Sequence, residues 1–282
     1  MRWDRGHESP NVDDHRGQGV GGGIGGLGLL LPLIGRFGWK GIVVAIIIFA
    51  ALRYGNCGGS MCAGLTGGEE SRRSGGSGGG KADSSDDELF QFVSFVLDDA
   101  QGFWQEEFSR NGERYKNARL GVFSNGVSTA CGNASSAVGP FYCPADNKVY
   151  IDLSFYRELQ RRFGAPGDAA QAYVIAHEVG HHVQNLHRVL DGGKSGEASI
   201  KTELQADCLA GAWAKSAEKR GKLEDGDLTE AMTAAAAVGD DAIQRKSGGE
   251  VSPETWTHGS SEQCQAAFQR GFKGGTLDSC GL

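Results

Sequence analysis

Several patterns that announce an enzyme class are missing from this chain. It offers no strand-to-helix Gly-x-Ser-x-Gly elbow for a serine nucleophile and no Gly-x-x-x-x-Gly-Lys-Ser/Thr loop for phosphates. Its seven cysteines include no Cys-x-x-Cys pair, so the usual structural zinc site is excluded. Basic residues are sparse and scattered, 28 against 35 acidic ones for a net charge of −7, which argues against a nucleic-acid footprint. No apolar run is long. The strongest, residues 41–52 (GIVVAIIIFAAL), has twelve residues between Lys40 and Arg53.

What is present divides the chain in two. Of 46 glycines, 23 fall in residues 1–84, a segment too glycine-rich to build a core of its own. Residues 1–36 read as a Gly-rich amino-terminal segment, 37–53 as a membrane anchor, and 54–85 as a flexible Gly/Ser-rich tether. Residues 86–282 are long enough for one sizeable catalytic domain. For the anchor, extending the apolar run back through Phe37, Gly38 and Trp39 and letting Lys40 reach the interface gives about sixteen residues. Residues 19–34 are a second Gly/Leu-rich stretch. The basic residues before the anchor (Arg2, Arg5, Arg16, Arg36, Lys40) place the amino terminus in the cytoplasm, with the domain on the other side of a membrane crossed once.

One motif carries the chemistry. In His177-Glu178-Val179-Gly180-His181 two histidines stand at i and i+4, one turn apart on the same helix face, where both rings reach one metal ion. Glu178 then lies beside the open coordination position as a general base for water. Asp168 reads as the N-cap of this helix, and Val174, Ile175, Val179, Val183 and Leu186 give it a buried apolar stripe. Gly180 in mid-helix signals close packing. His182 and His187 do not share the ligand face and read as ordinary polar positions. Downstream, Ser199 reads as the cap of a second helix. On it Glu203 and Asp207 are again i and i+4 among apolar neighbours, a costly pair to bury unless something positive lies between them. Glu203 is therefore assigned as third ligand, and Asp207 as the carboxylate that accepts the free ring N–H of a ligand histidine. The implied ion is Zn2+.

HEVGHHVQ and ELQADCLAGAW, preceded by GPFYCPADNKVYIDLSFYREL and followed by THGSSEQ, resemble a bacterial family of neutral zinc metallopeptidases over residues 86–280 and in the MRW start. The resemblance implies a zinc-dependent, membrane-associated peptidase of the glutamate-zincin type, with His177, His181 and Glu203 as ligands and Glu178 as base. The family commonly carries arginine where this chain has Cys264. Cys131 and Cys143 flank a Gly/Ser/Ala-rich segment and would staple it. On the family pattern Cys208 pairs with Cys280, with Cys264–Cys280 as the local competitor.

Elsewhere, an aromatic-striped helix is expected from Ser85 toward Phe108. A hairpin with an Asp-Asn turn is expected over residues 140–152, and an alanine-rich helix capped by Asp227 to about Arg245. Val149, Tyr150 and Ile151 are the expected strand edge for a substrate backbone. His258, just before the final helix, is the expected donor to a developing oxyanion. The reading is an α+β, zincin-like metallopeptidase, mainly helical with a small β-hairpin or sheet and one amino-terminal transmembrane helix, acting on peptides or proteins. The alternative is a zinc-stabilised envelope protein that binds peptides or scaffolds complexes without cutting.

Overall fold

In the computed structural model, residues 1–17, 84–161, 164–191, 197–248 and 250–282 are described. The anchor over 37–53 and the tether as far as residue 83 lie outside them. No helix among the described residues is long and apolar enough to cross a membrane.

The domain is mixed α and β. Helix α1 (Ser84–Arg110) leads into a small sheet made of β1 (Val12–His15), β2 (Arg119–Phe123), β5 (Phe141–Cys143) and β6 (Lys148–Asp152). A separate two-stranded ribbon, β3 (Gly126–Thr129) with β4 (Gly132–Ser135), stands beside it. Helices α2 (Ser154–Arg161), α3 (Asp168–Leu186), α4 (Glu197–Lys219), α5 (Asp227–Ala237), α6 (Asp240–Lys246) and α7 (Ser261–Gly274) follow. The aromatic stripe of α1 is core, as its spacing requires: Phe92, Phe95, Val96, Leu97 and Trp104 are buried.

The sheet runs β1-β2-β6-β5, with β1, β2 and β6 parallel and β5 antiparallel to β6. The expected hairpin is there, and Asn147 adopts the left-handed φ of 56° that its turn requires. Its strands differ in exposure from expectation. Val149, Tyr150 and Ile151 belong to β6 and are buried; Val149 and Tyr150 pair on both sides, so their backbone has no free edge. The outer strand is β5. Cys131–Cys143 ties the tip of the β3–β4 ribbon to this outer strand.

Residues 1–17 pack on this same body, so the expected division near residue 85 does not separate them from the domain. β1 pairs with β2 from Val12↔Leu120 to His15↔Phe123, and Asp13 is gripped by Arg119 and Lys148. Trp3 packs edge-on against Phe92, with ring centroids 5.4 Å apart. The Met1 ammonium lies 2.7 Å from Asp168 and 3.2 Å from Asp227. That pairing displaces the expected cap: Asp168 is the first residue of α3, Gly167 (φ 106°) precedes it, and no side chain caps the helix. Other helix boundaries also moved. α4 starts at Glu197 rather than at a Ser199 cap, and the alanine-rich segment breaks at Val238-Gly239 into α5 and α6.

α4 and α7 cross at backbone contact. A Cβ on Gly271 would lie 1.8 Å from the Cys208 carbonyl oxygen, and one on Gly211 would lie 2.0 Å from that of Phe268. Cys208–Cys280 ties α4 to the turn that follows α7, and Cys264 on α7 stays free and buried. Gly271→Ala must push the helices apart and should cost about 2 kcal/mol or more, read as a Tm lowered by several degrees. An unchanged melting curve would show that the crossing yields.

Candidate metal centre

α3 and α4 present their ligands to each other because both helices are small where they meet. A Cβ on Gly180 would sit 3.0 Å from the Ala206 carbonyl, so glycine in mid-helix permits the approach. Glu203, one turn from Ala206, then reaches both imidazoles. His177 Nε2 lies 3.2 Å and His181 Nε2 3.4 Å from Glu203 Oε2. Two atoms each bonded to zinc at its usual distance, at a tetrahedral angle, stand about 3.3 Å apart, so the spacing fits that ion.

The tautomers support the same conclusion. His177 Nδ1 donates to Asp207 Oδ1 at 2.9 Å, and His181 Nδ1 donates to Gln184 Oε1 at 2.8 Å. With each Nδ1 so engaged, both Nε2 atoms face one carboxylate oxygen, a position held by an imidazolium N–H in the absence of metal and by a shared cation when both imidazoles are neutral. Electrostatics agree. Burial alone would raise the Glu203 carboxyl, yet His181 and His177 hold it well below the usual range. Burial would depress His177, but Asp207 and Glu203 outweigh it and raise the imidazole well above its usual value. A second carboxylate cluster, Asp168, Asp227 and Glu230, already receives the Met1 ammonium and needs no metal.

Asp207 is where the sequence placed it. Fully buried, it takes the His177 ring proton and a second hydrogen bond, from the Tyr173 hydroxyl at 2.5 Å. Asp207→Asn would offer an amide in place of that acceptor. Zinc affinity should fall about 10–100-fold in a competition titration, with the fold intact; undiminished affinity would leave Asp207 no part in holding the ligand.

Gln184 went unnoticed in the sequence, yet it orients the second ligand. Its amide nitrogen donates to the Thr202 carbonyl at 2.8 Å and to Gln205 Oε1 at 2.9 Å, and Gln205 donates to the Cys280 carbonyl at 2.9 Å. His182, read as an ordinary polar position, is fully buried and cross-braces the domain. Its Nδ1 lies 2.9 Å from the Tyr142 hydroxyl on β5 and its Nε2 2.6 Å from the Lys116 carbonyl. Burial pushes the His182 imidazole down to about 4, so it works as a neutral strut between α3 and the outer strand. His187 lies 3.5 Å from the Glu113 carboxylate. A polar residue at i+1 or i+3 from a ligand in a buried helix was the available signal for both His182 and Gln184.

Glu178 is 7% exposed and has no hydrogen-bond partner among the described residues. Burial raises its carboxyl, partly opposed by His181 and His177. It faces a cavity of about 320 Å³ that His177, Glu203, Asp207 and His258 also line. His258 stands at that cavity with its backbone fixed. The Asp240 carboxylate accepts the N–H groups of Thr257, His258 and Gly259 at 2.7, 2.6 and 3.0 Å, and His258 Nδ1 lies 3.4 Å from Asp240. The imidazole is itself 44% exposed.

Two imidazoles one turn apart, a carboxylate from a neighbouring helix and an uncommitted glutamate beside them form a group able to hold a metal ion on a His-Glu-x-x-His motif. The family model described as "Putative neutral zinc metallopeptidase" matches residues 1–282, and the chain belongs to that family. It is 40% identical over 291 residues to the uncharacterized protein YpfJ of Escherichia coli K12, covering 99% of this chain and 98% of that protein. It is 46% identical over 182 residues to the uncharacterized protein Rv2575 of Mycobacterium tuberculosis H37Rv, covering 59% of this chain and 62% of that one. No solved structure matches.

Proposed function

We propose that this protein hydrolyses peptide bonds, with zinc held by His177, His181 and Glu203 and Glu178 as general base. One observation carries the reading: two Nε2 atoms and a carboxylate oxygen converge beside a buried carboxylate that nothing else engages. A zinc ion held by these three residues would supply Lewis acidity for the scissile carbonyl and lower the pKa of a bound water toward neutrality. The protein's own groups do the rest. Glu178 takes the proton from the attacking water and returns it to the leaving amine. Its raised carboxyl suits both halves of that exchange, since a stronger acid would accept a proton poorly. Asp207 and Gln184 hold the two imidazoles in the tautomer that leaves Nε2 free. His258, at the rim, supplies a donor for the charge that develops on the carbonyl oxygen. The outer strand β5, rather than β6, offers the backbone edge along which an extended peptide aligns.

Metal analysis of the full chain, paired with digestion of an unfolded protein with and without chelator, tests the reading. Stoichiometric zinc with chelator-sensitive cleavage is expected. Zinc without cleavage of any peptide would favour a non-catalytic, zinc-stabilised peptide-binding or scaffold protein. Membrane attachment through the apolar stretch at 37–53 completes the proposal, with the chain expected in the membrane fraction.

A further inference from the structure

Besides the metal ligands and a few polar groups, the cavity has a largely apolar wall. Its walls come from four separate parts of the chain: Val138 in the segment leading to β5, Phe155 on α2, Val174 on α3, and Val238 just before α6 with Ile243 within it. Val174 is one turn before Glu178 on the same helix face, so this apolar wall runs directly into the reacting end. Val138, which lines the cavity, is itself 62% exposed, so this part of the wall is open to an incoming chain.

The charges are as selective as the walls. No lysine or arginine lines the cavity, whereas Glu158, Glu178, Glu203 and Asp207 do. An acidic side chain would enter against four carboxylates with no cation from the walls to meet it. A basic one would find only Glu178 unengaged at depth, and pairing with it would occupy the proposed base. Asp207 is engaged by His177 and Tyr173, Glu203 by both histidines, and Glu158 is exposed to solvent. At about 320 Å³ the space suits one large side chain and its backbone rather than a folded partner.

We infer that this cavity is the specificity pocket of the site, and that it selects peptides with a bulky apolar side chain (Leu, Phe, Met or Ile) next to the scissile bond. The inference rests on the peptidase reading and narrows its substrate class. Ile243, half-buried on the wall and no part of the metal centre, is the residue through which the pocket can be resized.

The test is cleavage of a peptide library by the zinc-loaded full chain, with the new termini read by mass spectrometry. Bulky apolar residues should exceed alanine at one flanking position by about tenfold or more. Ile243→Trp should shift that preference toward Ala and Gly at unchanged zinc content. A flat profile, a preference for Lys, Arg, Asp or Glu, or an Ile243→Trp profile identical to the original would overturn the inference. If nothing is cut, the peptidase reading fails by itself, and the pocket is judged by binding instead. Zinc-loaded Glu178→Gln should then bind a Leu- or Phe-containing peptide about tenfold tighter than its Gly counterpart, and equal binding would refute the pocket as well.

Discussion

Glu178→Gln is expected to keep zinc at full occupancy while lowering kcat for peptide hydrolysis about 10²–10⁴-fold, the range that a positioned proton-transfer group contributes. The amide is nearly isosteric and Glu178 has no hydrogen-bond partner among the described residues, so the substitution breaks no contact of the fold. It removes only the ability to take a proton. The carboxylate does not belong to the converging donor set, which is why metal content should not follow activity down. The kinetic signature is a loss in kcat with KM little changed, since the group acts in the transition state rather than in binding. Hydrolysis at the original rate in zinc-loaded Glu178→Gln would move the base elsewhere, and His258 would be the next residue to examine.

Glu203→Ala should abolish zinc retention. The carboxylate supplies one of three donors, and without it the two imidazoles face open space. Affinity should drop well beyond the roughly 10–100-fold typical of losing an outer hydrogen-bond partner. Melting curves give a readout independent of turnover. A ligand present at about a hundred times its Kd adds about 2.7 kcal/mol of stability, so added zinc should raise the Tm of the original protein. The same addition should leave Glu203→Ala unmoved. Glu203→Asp, with a carboxylate one methylene shorter, should fall between them. If Glu203→Ala still binds zinc stoichiometrically, the third ligand is another residue.

The centre was readable because its information is local. Two i, i+4 pairs, His177/His181 and Glu203/Asp207, each state which side chains share a helix face, and the cost of burying the acidic pair states that something positive must lie opposite. Gly180 likewise signalled a close approach within its own helix. What escaped notice depends on partners far along the chain. Val-Asp-Asp-His at residues 12–15 has no strand-like apolar pattern, and β1 forms because β2 offers it an edge and Arg119 and Lys148 meet Asp13. Asp168 has the chemistry of a cap, but the Met1 ammonium engages it first. That β6 lies inside the sheet, with β5 outermost, follows from the strand order and not from any feature of Val149–Ile151. Gln184 and His182 look like ordinary polar residues until Gln205, Tyr142 and Lys116 arrive from distant segments.

The pairing of β1 with β2 also constrains topology. Arg16 bonds the Asp86 carbonyl at 3.1 Å and stacks over the Phe90 ring, so the points where the chain departs after Gly17 and resumes at Ser84 are neighbours. Whatever course residues 18–83 take, they leave one folded body and come back to it. β1 is thus held to the domain by its own pairing and its own ion pairs, independently of whatever joins it to α1.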